Sequence, residues 1–305
     1  MQALVIGLGS IGLRHATLLQ QLGLQVSAVS RRGQAAKGRR IHPTLSAALA
    51  ASNYDYVVVA NETSLHRQIL ADLADADFAG SILVEKPLFE RVHPLPDGLK
   101  AAVVVGYNLR FHPGIQALKR FLAGRQAVSA RLYAGQDLRQ WRPGRDMAAS
   151  YSAQAALGGG VLRDLSHELD LACHLFGRWR RVIGEGGRFG TLEIDSDDTW
   201  NIMAEHETCN TVSIGLSYLD STPCRRIAVT TTSGSAMLDL ISGELQTPDG
   251  TARHAANRDM TYLAQHKAIL SGETSTACSL ADGQTVTAMI DAVENSSENR
   301  CWVTA

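Results

Sequence analysis

Long apolar runs are missing from this chain of 305 residues. None reaches the roughly 18 to 20 residues needed to cross a bilayer, and the N-terminus enters a strand pattern without a charged segment followed by an apolar one. The protein is therefore expected to be soluble and cytoplasmic, with no membrane partner. Net charge is nearly absent as well, at −1 from 29 basic and 30 acidic residues, so no global field recruits nucleic acid. The five cysteines, at 173, 209, 224, 278 and 301, are odd in number, scattered and without a CxxC pair. That fits reduced thiols in a reducing compartment better than a disulfide framework or a zinc site. Internal repeats and low-complexity tracts are also lacking. A hydrophobic share of 45% is ordinary for a globular protein, and the length suits about two domains, each with its own core.

What is present begins at once. The run QALVI, residues 2–6, leads into GLGSIG and then the helical pattern IGLRHATLLQQL. Strand, glycine turn and helix form the setting in which G-x-G-x-x-G binds a dinucleotide. Gly7 permits the tight turn, Gly9 lets the backbone approach a pyrophosphate, and Gly12 allows close helix–strand packing. The N–H groups from Ser10 and Ile11 onward open the helix and offer its positive end to phosphates. The next strand, LQVSAVS, ends at Ser30, Arg31 and Arg32, where an NAD enzyme usually carries a carboxylate for the ribose hydroxyl. A hydroxyl and two guanidiniums suit a 2′-phosphate, so NADP(H) is favoured, with NAD(H) the alternative.

YDYVVVA, residues 54–60, is a buried parallel-strand pattern running into a polar loop with Asn61, Glu62 and His66, expected near the cofactor. A helix, HRQILADLADA, and a strand, SILVEKP, follow. Glu85 and Lys86 close that strand. A charged pair there is expensive inside a sheet and should project into a cleft, where partial burial would fit the Lys86 amine for proton exchange with a hydroxyl; a surface turn is the plain alternative.

The stretch GGGVLRDLSHELD, residues 158–170, carries three glycines, which give up the most backbone entropy on folding and pack no side chain. They are expected to bring the backbone close to cofactor or substrate. Turning about 100° per residue along the helix that follows gathers Val161, Leu162, Leu165, Leu169, Ala172, Cys173 and Phe176 on one face. Asp164, His167, Asp170 and His174 fall on the other. Three readings stand: a solvated polar face, a metal site from His167, Asp170 and His174, or an acid/base pair of Asp164 and His167.

Between these segments, RFHPGIQALKRFLA reads as a helix begun by Pro113, with apolar positions at 115, 118, 121 and 122. AVSARLYAG alternates like a strand. In DLRQWRPGRD, Arg139, Arg142 and Arg145 would clamp an anionic substrate group while Trp141 offers a stacking face, or the loop is simply solvated. Residues 182–247 hold several β-rich runs, suited to an antiparallel sheet with one face available for subunit contact. Asp195, Asp197 and Asp198 lack the spacing of a calcium loop. TYLAQHKAIL, residues 261–270, reads as a helix near the active-site side.

GLGSIG, the loop ANETSLH, VEKP, VGYNLRFHP at 105–113 and GGGVLRDLSHELD together resemble the Gfo/Idh/MocA oxidoreductases, the group of glucose-fructose oxidoreductase and inositol dehydrogenase. The resemblance covers essentially the whole chain, including ADGQTVTAMIDAVENSS at 281–297 as the family's C-terminal helix. It implies an α/β protein: a Rossmann dinucleotide-binding domain, 1–108, and an α+β domain, 109–305, with a large open, mostly antiparallel sheet for substrate binding and for a homodimer or homotetramer. The nicotinamide would lie between the domains. Lys86 matches the lysine beside the reacting carbon, and its bond to Pro87 is expected to be cis. The family's second motif sets catalytic Asp and His four residues apart. Here Asp164 and His167 are three apart, which puts Asp164 in doubt, while His167 and Asp170 keep the family's H-x-x-D spacing. Tyr107, Arg110, Trp141 and Arg142 join Lys86, Asp164 and His167 on the expected substrate side. The Leu-Ser-His-Glu form of the second motif is similar to a subgroup associated with surface-sugar biosynthesis.

The expected function is hydride transfer between NADP(H) and a hydroxyl-bearing carbon of a small, sugar-like molecule. His167 takes the hydroxyl proton, Lys86 stabilises the same oxygen and Asp164 tunes His167; no metal is expected. Two rivals are redox-assisted elimination or epimerisation with a tightly held cofactor, and a non-catalytic NADP(H) sensor, which would need neither Lys86 nor His167.

Overall fold

The computed structural model describes residues 1–30, 39–141 and 150–305. The chain gathers into two units, one of Met1–Phe89, His93–Asn108 and Arg258–Ala281, the other of Glu90–Val92, Leu109–Asn257 and Asp282–Ala305. The sequence reading gives everything after Asn108 to a second domain, yet Arg258–Ala281 packs with the first. The reason is polar: Thr261 accepts from the Asn108 side-chain amide, Gln265 donates to the Val105 carbonyl, and His266 hydrogen-bonds Tyr56.

In the first unit, β1 (Gln2–Ile6), α1 (Ser10–Gln21), β2 (Gln25–Val29), β3 (Arg40–His42), α2 (Leu45–Ala51), β4 (Tyr56–Val59), α3 (His66–Asp75), β5 (Ser81–Val84) and β6 (Ala102–Val105) alternate strand and helix. The strands order as β6-β5-β4-β1-β2-β3, all parallel. Ala3–Ile6 and Tyr56–Val59 are buried without interruption, as strands covered on both faces must be. The order reverses between β1 and β4, so the crevice at their carboxyl ends is the place where open α/β sheets receive ligands.

The second unit opens with α4 (Pro113–Leu122), β7 (Ala127–Gly135), α5 (Leu138–Trp141), α6 (Val161–Asp164) and α7 (His167–Phe176). The strands β8 (Trp179–Gly187), β9 (Thr199–His206), β10 (Val212–Ser217), β11 (Cys224–Thr231), β12 (Gly234–Asp239), β13 (Glu244–Thr247) and β14 (Gly250–Arg253) follow. Then α8 (Met260–Ser271) and β15 (Cys278–Ser279) belong to the first unit, β15 adding antiparallel to β6. Finally α9 (Leu280–Asn299) and β16 (Val303–Thr304) complete the chain. The second sheet runs β14-β13-β12-β11-β7-β10-β9-β8-β16 and is antiparallel throughout except for β7 beside β10.

Alternation along this second sheet buries one face against α4, α6 and α7. Across the other face runs the row Met203, Ser213, Arg131, Ala228 and Met237, all exposed except the half-buried Ala228. The expected single helix from Val161 onward is two. Leu165, with φ −98° and ψ 22°, ends α6, and Ser166 donates its hydroxyl to the Arg163 carbonyl at 2.8 Å. Short polar side chains that satisfy nearby backbone in this way compete with helix continuation. Among the described residues no helix is long and apolar enough to cross a membrane.

Candidate active site

The glycine turn is shaped by close backbone approach. Gly7 has φ +91°, and a Cβ there would sit 2.8 Å from the Ala60 carbonyl oxygen and the Asn61 nitrogen; a Cβ on Gly12 would sit 1.8 Å from the Gly7 oxygen. Both positions are therefore closed to any side chain. At Gly9 nothing lies within 4 Å of the Cβ position. Gly9 also caps α1 without a side-chain hydrogen bond, and the first turn carries no acidic residue. Ser10 is exposed and Ile11 half-buried, so the start of α1, with the helix dipole behind it, is a fit for a pyrophosphate. Asn61 strengthens that fit: its Oδ1 is buried and has no hydrogen-bond partner among the described residues, so it is ready to accept from a bound donor.

Ser30 closes β2 and donates its backbone N–H to the His42 carbonyl. Arg31 and Arg32, expected beside a ribose phosphate, lie outside the described residues. After β4, Glu62 is exposed, whereas His66 is 1% exposed. The His66 ring sits between the Asn61 carbonyl (3.3 Å) and the Leu88 carbonyl (3.1 Å), and burial lowers its pKa despite both contacts. It is a brace between the segments that follow β4 and β5.

After β5 come Glu85 and Lys86, and the Lys86–Pro87 bond is cis. Glu85 is 9% exposed. Burial alone would raise its carboxyl, but the His15 hydrogen bond at 2.8 Å, with the charges of His15 and Lys86, outweighs burial and holds it below the usual range. A Cβ on Gly106 would press on the Glu85 side chain at 3.0 Å, so the glycine after β6 makes room for this carboxylate. Tyr107, the next residue, is fully buried.

In the second unit the glycine triplet approaches the chain itself, which corrects the expected approach to a ligand. A Cβ on Gly159 would meet the Tyr151 carbonyl at 2.2 Å, and one on Gly160 (φ +114°) the Asp197 carboxylate at 2.0 Å. Asp197 accepts from the Leu162 N–H and the Trp200 indole, each at 2.9 Å, and so anchors the start of α6. Asp195 accepts from the Ala155 N–H, and Asp198 from the N–H groups of Phe189 and Gly190. The three aspartates are loop organisers.

The polar side of α7 is not a solvated face. Glu168 is 1% exposed and takes two 2.7 Å bonds from Arg225; Asp170 is fully buried against Arg110, at 2.7 to 3.1 Å. His174 accepts from Lys119 at 3.3 Å, and burial with the Arg110 and Lys119 charges lowers it to about 3. Arg110 also binds Asp282 at 3.0 Å and is 4% exposed, so it fastens α7 and α9 together in place of the substrate contact expected of it. Asp164 and His167, the last residue of α6 and the first of α7, are half-exposed, as is His174 farther along α7.

Tyr218 is the residue that sequence reasoning missed. Its hydroxyl donates to Asp164 Oδ2 at 2.6 Å, and the Trp141 indole meets its ring edge-on at 5.2 Å between centroids. Burial and the Asp164 charge push the phenol well above its ordinary pKa, which keeps it a donor. The alternation Val212, Ile214, Leu216, Tyr218, all buried, was the signal that it faces inward. Arg139 turns back onto Asp137 at 2.6 Å and is exposed; Arg142 and Arg145 lie outside the described residues.

No curated protein matches the sequence. Solved structures do. An oxidoreductase from Agrobacterium radiobacter in complex with NAD+, L-tartaric acid and magnesium is 21% identical with a TM-score of 0.82, over 100% of this chain and 98% of that one. Levoglucosan dehydrogenase in complex with NADH and levoglucosan is 18% identical, TM-score 0.85, over 100% and 99%. The WlbA dehydrogenase from Bordetella pertussis, in complex with NADH and UDP-GlcNAcA, is 18% identical, TM-score 0.82, over 100% and 97%. At such identities the likeness is one of fold. The family model described as oxidoreductase family, NAD-binding Rossmann fold, matches residues 1–106, and that of the GFO/IDH/MocA C-terminal domain matches residues 128–237. With both parts matched in order, the chain belongs to the Gfo/Idh/MocA oxidoreductases.

Proposed function

We propose that the protein is an NADP(H)-dependent dehydrogenase acting on a hydroxyl-bearing carbon of a sugar or sugar derivative. The observation that carries this reading is the shared edge of the first sheet. The open Gly9 turn follows β1, Ser30 follows β2, Asn61 follows β4 and Lys86 follows β5, all at the carboxyl ends of parallel strands. That edge combines a phosphate cradle with an amine suited to a reacting oxygen. Structures of the same fold were solved with levoglucosan and with UDP-GlcNAcA, which supports the sugar class.

The bound dinucleotide would supply the hydride acceptor in oxidation and the donor in reduction. The N–H groups of Ser10, Ile11 and Gly12 would hold its phosphates, Asn61 would accept from it, and Ser30, Arg31 and Arg32 would favour a ribose 2′-phosphate. In the oxidative direction His167 takes the proton of the substrate hydroxyl at a ring nitrogen. Lys86 donates to the same oxygen and stabilises its developing charge. Asp164, held by Tyr218, orients His167, while Trp141 and Arg142 contact the substrate. In reduction each group reverses its part.

The outer face of the second sheet, with Met203 at 49% and Met237 at 38% exposure, supports a homodimer or homotetramer formed there. The test of the main reading is scanning calorimetry against NADP(H), NAD(H) and a panel of sugars, sugar acids and nucleotide sugars. Ligand stabilisation follows RT ln(1 + [L]/Kd), so a tight ligand raises the melting temperature. NADP(H) should give the larger rise, and no rise with either dinucleotide would remove the reading.

A further inference from the structure

Glu168 and Arg225 form a pair one residue from His167, and the pair uses only one edge of the guanidinium. Nε and Nη2 donate to the two carboxylate oxygens at 2.7 Å each. The Glu168 side chain is 1% exposed and that of Arg225 25%, so the carboxylate lies behind the guanidinium. Nη1, with two N–H groups, makes no hydrogen bond among the described residues and is not enclosed. A planar fork with one edge on a carboxylate keeps its other edge for a second acceptor.

Two histidines come to the same end of the second sheet. β11 turns Arg225 to the face of the buried Ile227 and Val229, and the Leu240 N–H, just after β12, donates to the Arg225 carbonyl at 2.9 Å. His112 precedes α4 and folds over Gly114, whose Cβ position is 2.7 Å from Leu238 of β12. His254, just beyond β14, donates its backbone N–H to the Gly243 carbonyl in the turn between β12 and β13. His112 is 5% exposed, and its Nδ1 accepts from the Gly114 N–H at 3.0 Å. Burial first, then the charges of His254 and Arg225, lower it to about 4, so at neutral pH the ring carries its one proton on Nε2. That Nε2–H has no hydrogen-bond partner among the described residues, and neither has the His254 ring. The charges that reach His112 are both positive.

Unused donors on a guanidinium and an imidazole, in a positive local field, are complemented by an oxyanion. Charge decides which kind. Glu168 already balances Arg225, so the site suits a carboxylate, a monoanion with two planar oxygens, better than a phosphate dianion. We infer that Arg225, His112 and His254 form a subsite for a substrate carboxylate, with Glu168 fixing the guanidinium, so that the substrate class is a sugar acid. The inference rests on the reading of the protein as a sugar dehydrogenase with His167 at the reacting oxygen. Glu168 directly follows His167 in the first turn of α7, and the sugar would span from the reacting hydroxyl to the guanidinium.

All four residues belong to the second unit, so the test uses the full chain without a dinucleotide. The Cε1–H signals of His112 and His254, assigned with His112→Asn and His254→Ala, are followed by NMR near neutral pH. The probes are the uronates of glucose, galactose and mannose, the parent sugars, which carry a hydroxymethyl in place of the carboxylate, and the sugar 6-phosphates. At least one uronate should move both signals saturably and bind at least about tenfold more tightly than its parent sugar, the worth of charge-assisted hydrogen bonds, and more tightly than the 6-phosphate. His112→Asn keeps an acceptor for the Gly114 N–H but loses the Nε2 donor, and Arg225→Lys keeps a cation against Glu168 but loses the second edge of the fork. Each of these variants, and His254→Ala, should weaken the uronate about fivefold or more. If Arg225→Lys does not fold, the two histidine variants decide. No saturable shift with any uronate, equal binding of uronate and parent sugar, a preference for the phosphate, or uronate binding that no variant weakens would overturn the inference. Because the readout needs no dinucleotide, a protein that binds NADP(H) without preferring a carboxylate loses this subsite and keeps the dehydrogenase reading.

Discussion

Tyr218 gives its hydroxyl proton to Asp164 across 2.6 Å, and this bond gives Asp164 a fixed place despite its shortened spacing to His167. The missing residue is absorbed by the break at Leu165 and Ser166, which separates α6 from α7 and lets the two side chains belong to different helices. Tyr218→Phe should therefore lower stability by about 1 kcal/mol, the worth of one buried hydrogen bond, and lower turnover about tenfold through misplacement of Asp164. Dinucleotide binding should be unchanged. Wild-type turnover in the variant would show that Asp164 needs no anchor.

Gly9 separates binding from folding. Its φ of −67° suits any residue, and its Cβ position is empty. Gly9→Ala should melt with the wild type but bind NADP(H) at least about tenfold more weakly, because the methyl occupies the phosphate approach. Gly12→Ala should instead lose stability outright, since its methyl collides with the Gly7 carbonyl. Titration of Gly9→Ala with unaltered affinity would move the phosphate site elsewhere.

Arg110→Met leaves Asp170 buried without its guanidinium partner. Loss of one member of a buried pair is expected to cost about 3–5 kcal/mol, read as a lower denaturant midpoint in chemical unfolding. A loss below about 1 kcal/mol would mean that Asp170 finds another donor or a proton.

Stability should fall in mild acid. Burial comes first among the causes lowering His66, His112, His174, His206 and His266, with His112 at about 4 and His174 at about 3. A histidine lowered in the fold binds protons in the unfolded chain first. Its contribution is full above about pH 6.5 and is lost as pH falls toward the folded value. Asp197 and Asp291, raised by burial, act in the opposite sense below neutrality, but they are two against five. The melting temperature should be level near pH 7–8 and drop steadily from about pH 6.5 to 4. A flat profile over that range would show that these rings are protonated in the fold.

The Rossmann half was legible because its signals are local. A buried apolar strand, the glycines at 7, 9 and 12, and a charged pair ending β5 each declare their place without reference to the rest of the chain. The second motif was legible only in part. Periodicity put Asp170 on a polar face, and nothing nearby revealed that Arg110, sixty residues earlier, would bury it. The glycines at 159 and 160 were read as room for a ligand, whereas the room is taken by the Tyr151 carbonyl at Gly159 and by Asp197 at Gly160. Tyr218 and His266 stayed hidden for the same reason: their partners, Asp164 and His15, are 54 and 251 positions away. Long-range pairing of polar groups is set by packing, which spacing in the sequence does not report.

The central claim is NADP(H)-linked oxidation of a sugar-like alcohol with Lys86 and His167 carrying the proton chemistry. Its most direct measurement is the appearance of reduced-nicotinamide absorbance when the protein and NADP+ meet a panel of sugars, sugar acids and nucleotide sugars, run beside Lys86→Met and His167→Ala. The account predicts reduction with at least one sugar-class substrate, faster with NADP+ than with NAD+, and a loss of about a hundredfold or more in each variant with NADP(H) binding retained. Turnover near the wild-type rate in either variant would contradict it.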